Sequence, residues 1–266
     1  MALTYSTIPL QVQGVNLDIA TTHNLNGKAP ILFLHGFGSC KEDLADIICQ
    51  AELKNYDYLA FDAPGCGHSR SDNLSATDIP FLVATTLEVL SHFGITKFHL
   101  IGHSMGGLTA LLLAHQCPDR ILSFVDIKGN LAPEDCFLSR QIFNFPTDDP
   151  QAFLDAFIIR TRESKSLGSA LYASTLRMRV QARAVRPIFE SMVRLSDNED
   201  LLGVFLGLPC CKMFMFGDEN RGLSYLSLLE KEGMELAQIP GSGHFPMYSN
   251  PVEMWRRIAA FLNRIV

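Results

Sequence analysis

At 266 residues, 47% of them hydrophobic, the chain can bury one large core, and a single domain carrying an insertion is expected. A net charge of −6 leaves no basic face for phosphate neutralisation, so a nucleic-acid partner is excluded. No stretch approaches the ~20 unbroken apolar residues that a membrane span requires.

Residues Met1 to Ser6 lack the basic run and apolar block of a signal peptide. The seven cysteines, Cys40, Cys49, Cys66, Cys117, Cys136, Cys210 and Cys211, are odd in number and lack metal-ligand spacing. They read as small buried apolar residues of a reduced, cytoplasmic chain. No metal or cofactor motif is visible.

Residues 7 to 23 alternate loosely around Gly14 and suggest a hairpin. Ile31-Leu32-Phe33-Leu34 is the continuous apolar run of a strand buried on both faces, and it ends in His35-Gly36-Phe37-Gly38. A helix is expected over 42–53, then a strand Tyr58 to Phe61 closed by Asp62-Ala63-Pro64-Gly65-Cys66-Gly67-His68-Ser69. Asp78 to Phe93 carries an acidic N-cap and helical spacing and is stopped by Gly94. Phe98 to Ile101 is a strand that runs into Gly102-His103-Ser104-Met105-Gly106, followed by a Leu- and Ala-rich helix over 108–117. That is strand, sharp turn, helix, with a serine at the apex.

Ile121 to Ile127 is a further strand, after which residues 131–205 are helical in character. Strand Cys211 to Phe216, a helix over 223–232, strand Glu235 to Ile239, a loop with His244, and an amphipathic helix from Pro251 to Ile265 complete the chain. Strands alternating with helices through short connections imply an α/β fold with a mostly parallel, doubly wound sheet. Residues 1–130 and 206–266 form its core and 131–205 a helical lid insertion. Ligands of such sheets sit at the carboxyl ends of the strands, where His35-Gly36-Phe37, Asp62 and Ser104 fall.

The chain resembles the α/β-hydrolases, and the resemblance covers nearly its whole length. His35-Gly36-Phe37-Gly38 is similar to that family's oxyanion loop, Asp62 to Ser69 to its strand-four signature, Gly102 to Gly106 to its nucleophile elbow, and Gly243-His244-Phe245-Pro246 to its histidine loop. Four motifs in the right order are far more specific than any one. The resemblance implies Ser104 as nucleophile and His244 as the base that activates it. The main-chain N–H groups of Phe37 and Met105 would be the oxyanion donors. His35 and His103 read as structural, the first fixing its loop and the second pointing away from the site.

The third member of the triad departs from the family. A Gly-x-x-Asp pattern usually supplies it after strand seven, but here the stretch reads Gly217-Asp218-Glu219-Asn220. An alternative family position, after strand six, matches Lys128, with Asp126 two residues earlier on the same strand face. Three accounts follow: Asp126 is the acid; Asp218 or Glu219 reaches in; or no acid serves, leaving a Ser-His dyad with Asn220 or water. In the lid, Arg177, Arg179, Arg183 and Arg186 form a basic segment that either pairs with acidic neighbours or receives an anionic substrate. The apolar lid residues Phe137, Ile142, Phe143, Phe153 and Phe157 suit an acyl pocket or packing on the core.

The expected activity is hydrolysis of a small ester, thioester or lactone through an acyl-enzyme. The alternative is a catalytically impaired ligand- or partner-binding protein on the same fold.

Overall fold

The computed structural model describes residues 2–265. The chain opens with β1 (Thr4–Val12) and β2 (Val15–Asn24). They are antiparallel across a two-residue turn in which Gln13 (φ 48°) and Gly14 (φ 82°) are both left-handed, the geometry that matches strand twist in tight hairpins. Next come β3 (Pro30–Leu34), β4 (Asp57–Phe61), the short β5 (Arg70–Ser71) and α1 (Ile79–His92), whose N-cap Asp78 accepts from the Phe81 N–H at 2.9 Å. β6 (Phe98–His103) leads into α2 (Met105–Gln116), and β7 (Ile121–Ile127) follows. After a helical stretch come β8 (Cys211–Gly217) and β9 (Glu235–Ile239).

The strands form one sheet in the order β1-β2-β4-β3-β6-β7-β8-β9, with β5 paired to β2. From β4 to β9 every pairing is parallel. Every residue of β3, β4 and β6 is buried, so the sheet is covered on both faces and its centre forms the core. The chain leaves β3 for β4 on one side and returns to β6 on the other. β3 and β6 are therefore neighbours whose connections diverge, and this opens a crevice at their carboxyl ends.

The helix expected over 42–53 is instead two 3₁₀ turns, Ala45–Cys49 and Ala51–Leu53. Three-residue hydrogen bonds repeat along it, Ile47 to Leu44, Gln50 to Ile47 and Leu53 to Gln50, and they bring Leu44, Ile47 and Leu53 to one buried stripe. Between β7 and β8 lie α3 (Pro150–Arg162), α4 (Leu167–Arg179), α5 (Val185–Asn198) and α6 (Leu201–Gly207). α6 runs past residue 205, and its Phe205 packs on Phe124 of β7 and Phe214 of β8 at 5.9 and 6.3 Å. It sits with the sheet, and only the helices before it extend over the strand ends. The C-terminal part adds α7 (Leu226–Lys231), α8 (Pro246–Ser249) and α9 (Pro251–Leu262). Among the described residues no helix is long and apolar enough to cross a membrane.

Candidate active site

Ser104 stands between β6 and α2 with φ 53° and ψ −118°, a conformation that costs a non-glycine residue on the order of 1–3 kcal/mol and persists only where its surroundings impose it. Its N–H donates to the Ile127 carbonyl at 3.1 Å and its carbonyl accepts from the Leu108 N–H at 3.0 Å, so β7 and α2 fix the bend from both sides. A Cβ on Gly102 would lie 2.6 Å from the Gly106 carbonyl oxygen, and one on Gly106 would collide with the Leu34 carbonyl at the end of β3. One glycine thus relieves crowding across the bend, the other crowding against the neighbouring strand.

The loop after β3 is held by its own side chains. His35 donates from Nδ1 to the Gly36 carbonyl at 2.7 Å and accepts the Ala63 N–H on Nε2 at 2.9 Å. Tyr172 of α4 donates its hydroxyl to the Phe37 carbonyl at 2.7 Å. Phe37 is wedged between Phe157 and Phe189. The Met105 N–H, first in α2, has no intrahelical acceptor, and among the described residues the Phe37 N–H has no protein acceptor.

His244 lies in the loop after β9 and its Nε2 is 2.9 Å from Ser104 Oγ. The end of β8 clamps this loop: a Cβ on Gly217 would be 2.5 Å from the Gly243 carbonyl oxygen, and the Glu219 N–H donates to the Ser242 carbonyl at 3.1 Å. His103 does not point away, because the left-handed turn at Ser104 ends the strand alternation there. Its Nε2 donates to the His244 carbonyl at 2.9 Å, and the two rings lie 5.1 Å apart. Burial holds His103 down to about 4. Burial, then His103 and Lys128, hold His244 well below the usual histidine value. A hydroxyl bonded to a neutral imidazole is poised to lose its proton to the ring as the oxygen attacks an electrophile.

Asp126 is not joined to His244. One carboxylate oxygen accepts the Gly129 N–H at 2.8 Å and would lie 2.6 Å from a Cβ on Gly107, and the other has no partner. Burial pushes this carboxyl up to about 7. The strand-face argument fails because the chain turns left-handed at Lys128 (φ 49°), so extended alternation ends at Ile127 and does not relate Lys128 to Asp126. Lys128 Nζ is itself paired with Asp135, whose oxygens also accept from Leu131 N–H, Ala132 N–H and Tyr225 OH. Asp218 faces elsewhere: its bonds from Gln238 (2.6 Å) and the Gly241 N–H (2.8 Å) hold it below the usual carboxylate range. The Glu219 carboxylate lies over Gly243. His244 Nδ1 and Asn220 Oδ1 are both buried without a partner, and both residues line the same pocket.

Two spaces meet at His244. A narrow recess of about 20 Å³ reaches Ser104 among Phe37, Phe157, Phe189, Met192 and Tyr172. An open pocket of about 290 Å³ lies beyond the ring, among Gln141, Arg160, Thr161, Ser164, Glu219 and Asn220. Phe137 borders both spaces, with its ring edge-on to His244, and Ile142 and Phe153 are buried, whereas Phe143 is exposed. Of the basic segment, Arg177 pairs with Asp155, Arg179 with Asp43, and Arg186 with Asp148 and Glu190. Arg183 is exposed and lines neither space. Arg160, exposed on α3, was not singled out by the sequence; only its place in the lining of the open pocket distinguishes it. Cys40, Glu42 and Asp62 come within reach of one another, but the Lys41 ammonium lies among them, 2.6 Å from Glu42 and 3.0 Å from Asp62, and fills a cation's place.

The sequence profile of the Alpha/beta hydrolase family matches residues 31–257. A Haemophilus influenzae protein named "Putative esterase/lipase" is 29% identical over 115 residues, 43% of this chain and 39% of its own length. The dihydrolipoyllysine-residue acetyltransferase component of the acetoin cleaving system of Pseudomonas putida is 37% identical over 99 residues, 36% of this chain and 26% of its own. The matches thus span well under half the length of these relatives. Among solved structures, a carboxylesterase of the thaumarchaeon Nitrososphaera gargenis superposes with a TM-score of 0.76 at 16% identity, covering 97% of this chain and 98% of its own. An N-acyl homoserine lactonase bound to N-hexanoyl homoserine gives 0.75 at 17%, over 99% and 98%. At such identities these two likenesses speak for the fold.

Proposed function

The chain belongs to the Alpha/beta hydrolase family, and from that premise we propose that it is a serine hydrolase of small esters, thioesters or lactones. One observation carries the reading: Ser104 Oγ, on a strained turn, is 2.9 Å from a neutral His244 Nε2. In the first half-reaction His244 takes the hydroxyl proton as Oγ attacks the acyl carbon. The oxyanion is received by the N–H groups of Phe37 and Met105, a pair of which each member typically contributes ~10²–10³ in rate. His244 then returns the proton to the leaving group, and water, activated by the same ring, frees the acid.

For the third partner of the histidine we take Asn220: its Oδ1 and His244 Nδ1 are both buried and line one pocket, each without a partner and not bonded to each other. An amide orients the ring without stabilising its cation, so turnover is slow for such a site. The helices between β7 and α6 act as the lid, and seven free cysteines favour a cytoplasmic setting. A second reading, a ligand-binding relic, is favoured by the missing carboxylate and the cation at Lys128. Turnover of p-nitrophenyl esters by wild type and Ser104→Ala tests the choice. Hydrolysis lost in the variant supports the enzyme; wild-type turnover no faster than that of the variant would refute it.

A further inference from the structure

Resting on that reading, we infer that the substrate joins a short acyl group to a polar leaving group that carries an anion, and that Arg160 receives the anion. The two spaces at His244 decide which half goes where. The ring must hand its proton to the departing atom, so the leaving group lies against His244. Both spaces border His244, but only the narrower recess reaches Ser104, where the acyl carbon must sit. The leaving group therefore occupies the outer pocket and the acyl chain the recess.

Each space then sets its own chemistry. The recess, about 20 Å³ between aromatic rings, is much the narrower of the two spaces, which favours short acyl chains over long ones. The outer pocket holds about 290 Å³ and combines apolar walls with the polar side chains of Gln141, Arg160, Thr161 and Glu219. Arg160 is the cation there. Its Nε donates to Gln141 Oε1 at 3.0 Å and its guanidinium lies 6.0 Å from the Phe153 ring centroid. Among the described residues no carboxylate pairs with it, unlike Arg177, Arg179 and Arg186, so its two terminal nitrogens remain for a bidentate contact with a carboxylate or phosphate. Glu219, on the histidine-loop side of the same pocket, disfavours an anion next to the ring and directs it to the α3 wall.

The test uses 4-acetoxybenzoate and its methyl ester, which differ chiefly in the charge of the leaving group, with release of the acetyl group followed and each ester compared between variant and wild type. Arg160→Leu is expected to raise KM for the anion about tenfold, the typical size of one charge-assisted contact at a partly exposed site. It is expected to leave the methyl ester unchanged, and Arg160→Lys is expected to retain part of the preference. Equal effects of Arg160→Leu on both esters, with turnover still abolished in Ser104→Ala, would overturn the assignment alone. Turnover that survives Ser104→Ala would overturn the serine-hydrolase reading and this inference with it.

Discussion

Every group that perturbs His244, after burial itself, disfavours its cation: His103 beside it and Lys128 behind it. The ring therefore stays neutral well below the ordinary histidine range, and kcat/KM is expected to remain flat from pH 8 down through 6, where an unperturbed histidine would protonate. Asn220→Asp places a charge opposite Nδ1. It is expected to raise kcat by about 10–100-fold, part of the ~10⁴ that separates an amide from an acid at this position in serine proteases. It should also shift the acidic limb of the pH profile upward, because a carboxylate stabilises the imidazolium. A pH profile of the variant that matches wild type would show that Asn220 does not face the ring. Ser104 and His244 were legible because each lies within a short glycine-bounded motif. Which residue faces Nδ1 was not, since that depends on how the ends of β7 and β8 turn, and Nδ1 itself is bonded to none. Lys128, left-handed and bound to Asp135, takes the strand-six position out of use, and no periodicity announces that.

The helices inserted between β7 and β8 reach the site through Tyr172 of α4, whose hydroxyl holds the Phe37 carbonyl at 2.7 Å. Tyr172 is fully buried and stacks on Phe245, so Tyr172→Phe keeps the packing and removes one hydrogen bond. It is expected to lower kcat about 3- to 10-fold with little change in KM, since one neutral bond is worth roughly 1 kcal/mol and Phe37 acts on the transition state. A rise in KM with kcat intact would place Phe37 in ground-state binding instead. The parallel strands were readable from their apolar runs, α1 from its cap and periodicity, and α9 from its amphipathic pattern. The segment 42–53 was not, because Leu44, Ile47 and Leu53 satisfy a three-residue repeat as well as a helical one. The Cys40 and Lys41 N–H groups are drawn to the Asp43 and Asp62 carboxylates, which favours the tighter turn.

Across the whole chain, the sheet order brings β3 and β6 together and so builds a site from loops nearly 210 residues apart in sequence, Phe37 to His244. Asp126 lies under that crevice with its carboxyl raised by burial to about 7. An acid raised in the folded state contributes stability that is present below the unfolded value near 4 and is lost as pH rises through 7. Thermal unfolding of Asp126→Asn is therefore expected to gain on wild type between pH 4 and 7 and to level off above, by about 2–4 kcal/mol at most. His99 and His103, lowered to about 4, act in the opposite sense: their contribution is present above 6.5 and lost as pH falls toward 4. They are common to both proteins and drop out of the difference. A constant gap between the two melting curves would mean that Asp126 titrates normally. The most direct check of the account as a whole is the mass of the protein quenched during turnover of p-nitrophenyl acetate. An acetyl group on the peptide containing Ser104, absent from Ser104→Ala and from His244→Ala, is the predicted result; turnover with no adduct there, or with the adduct on another residue, would contradict it.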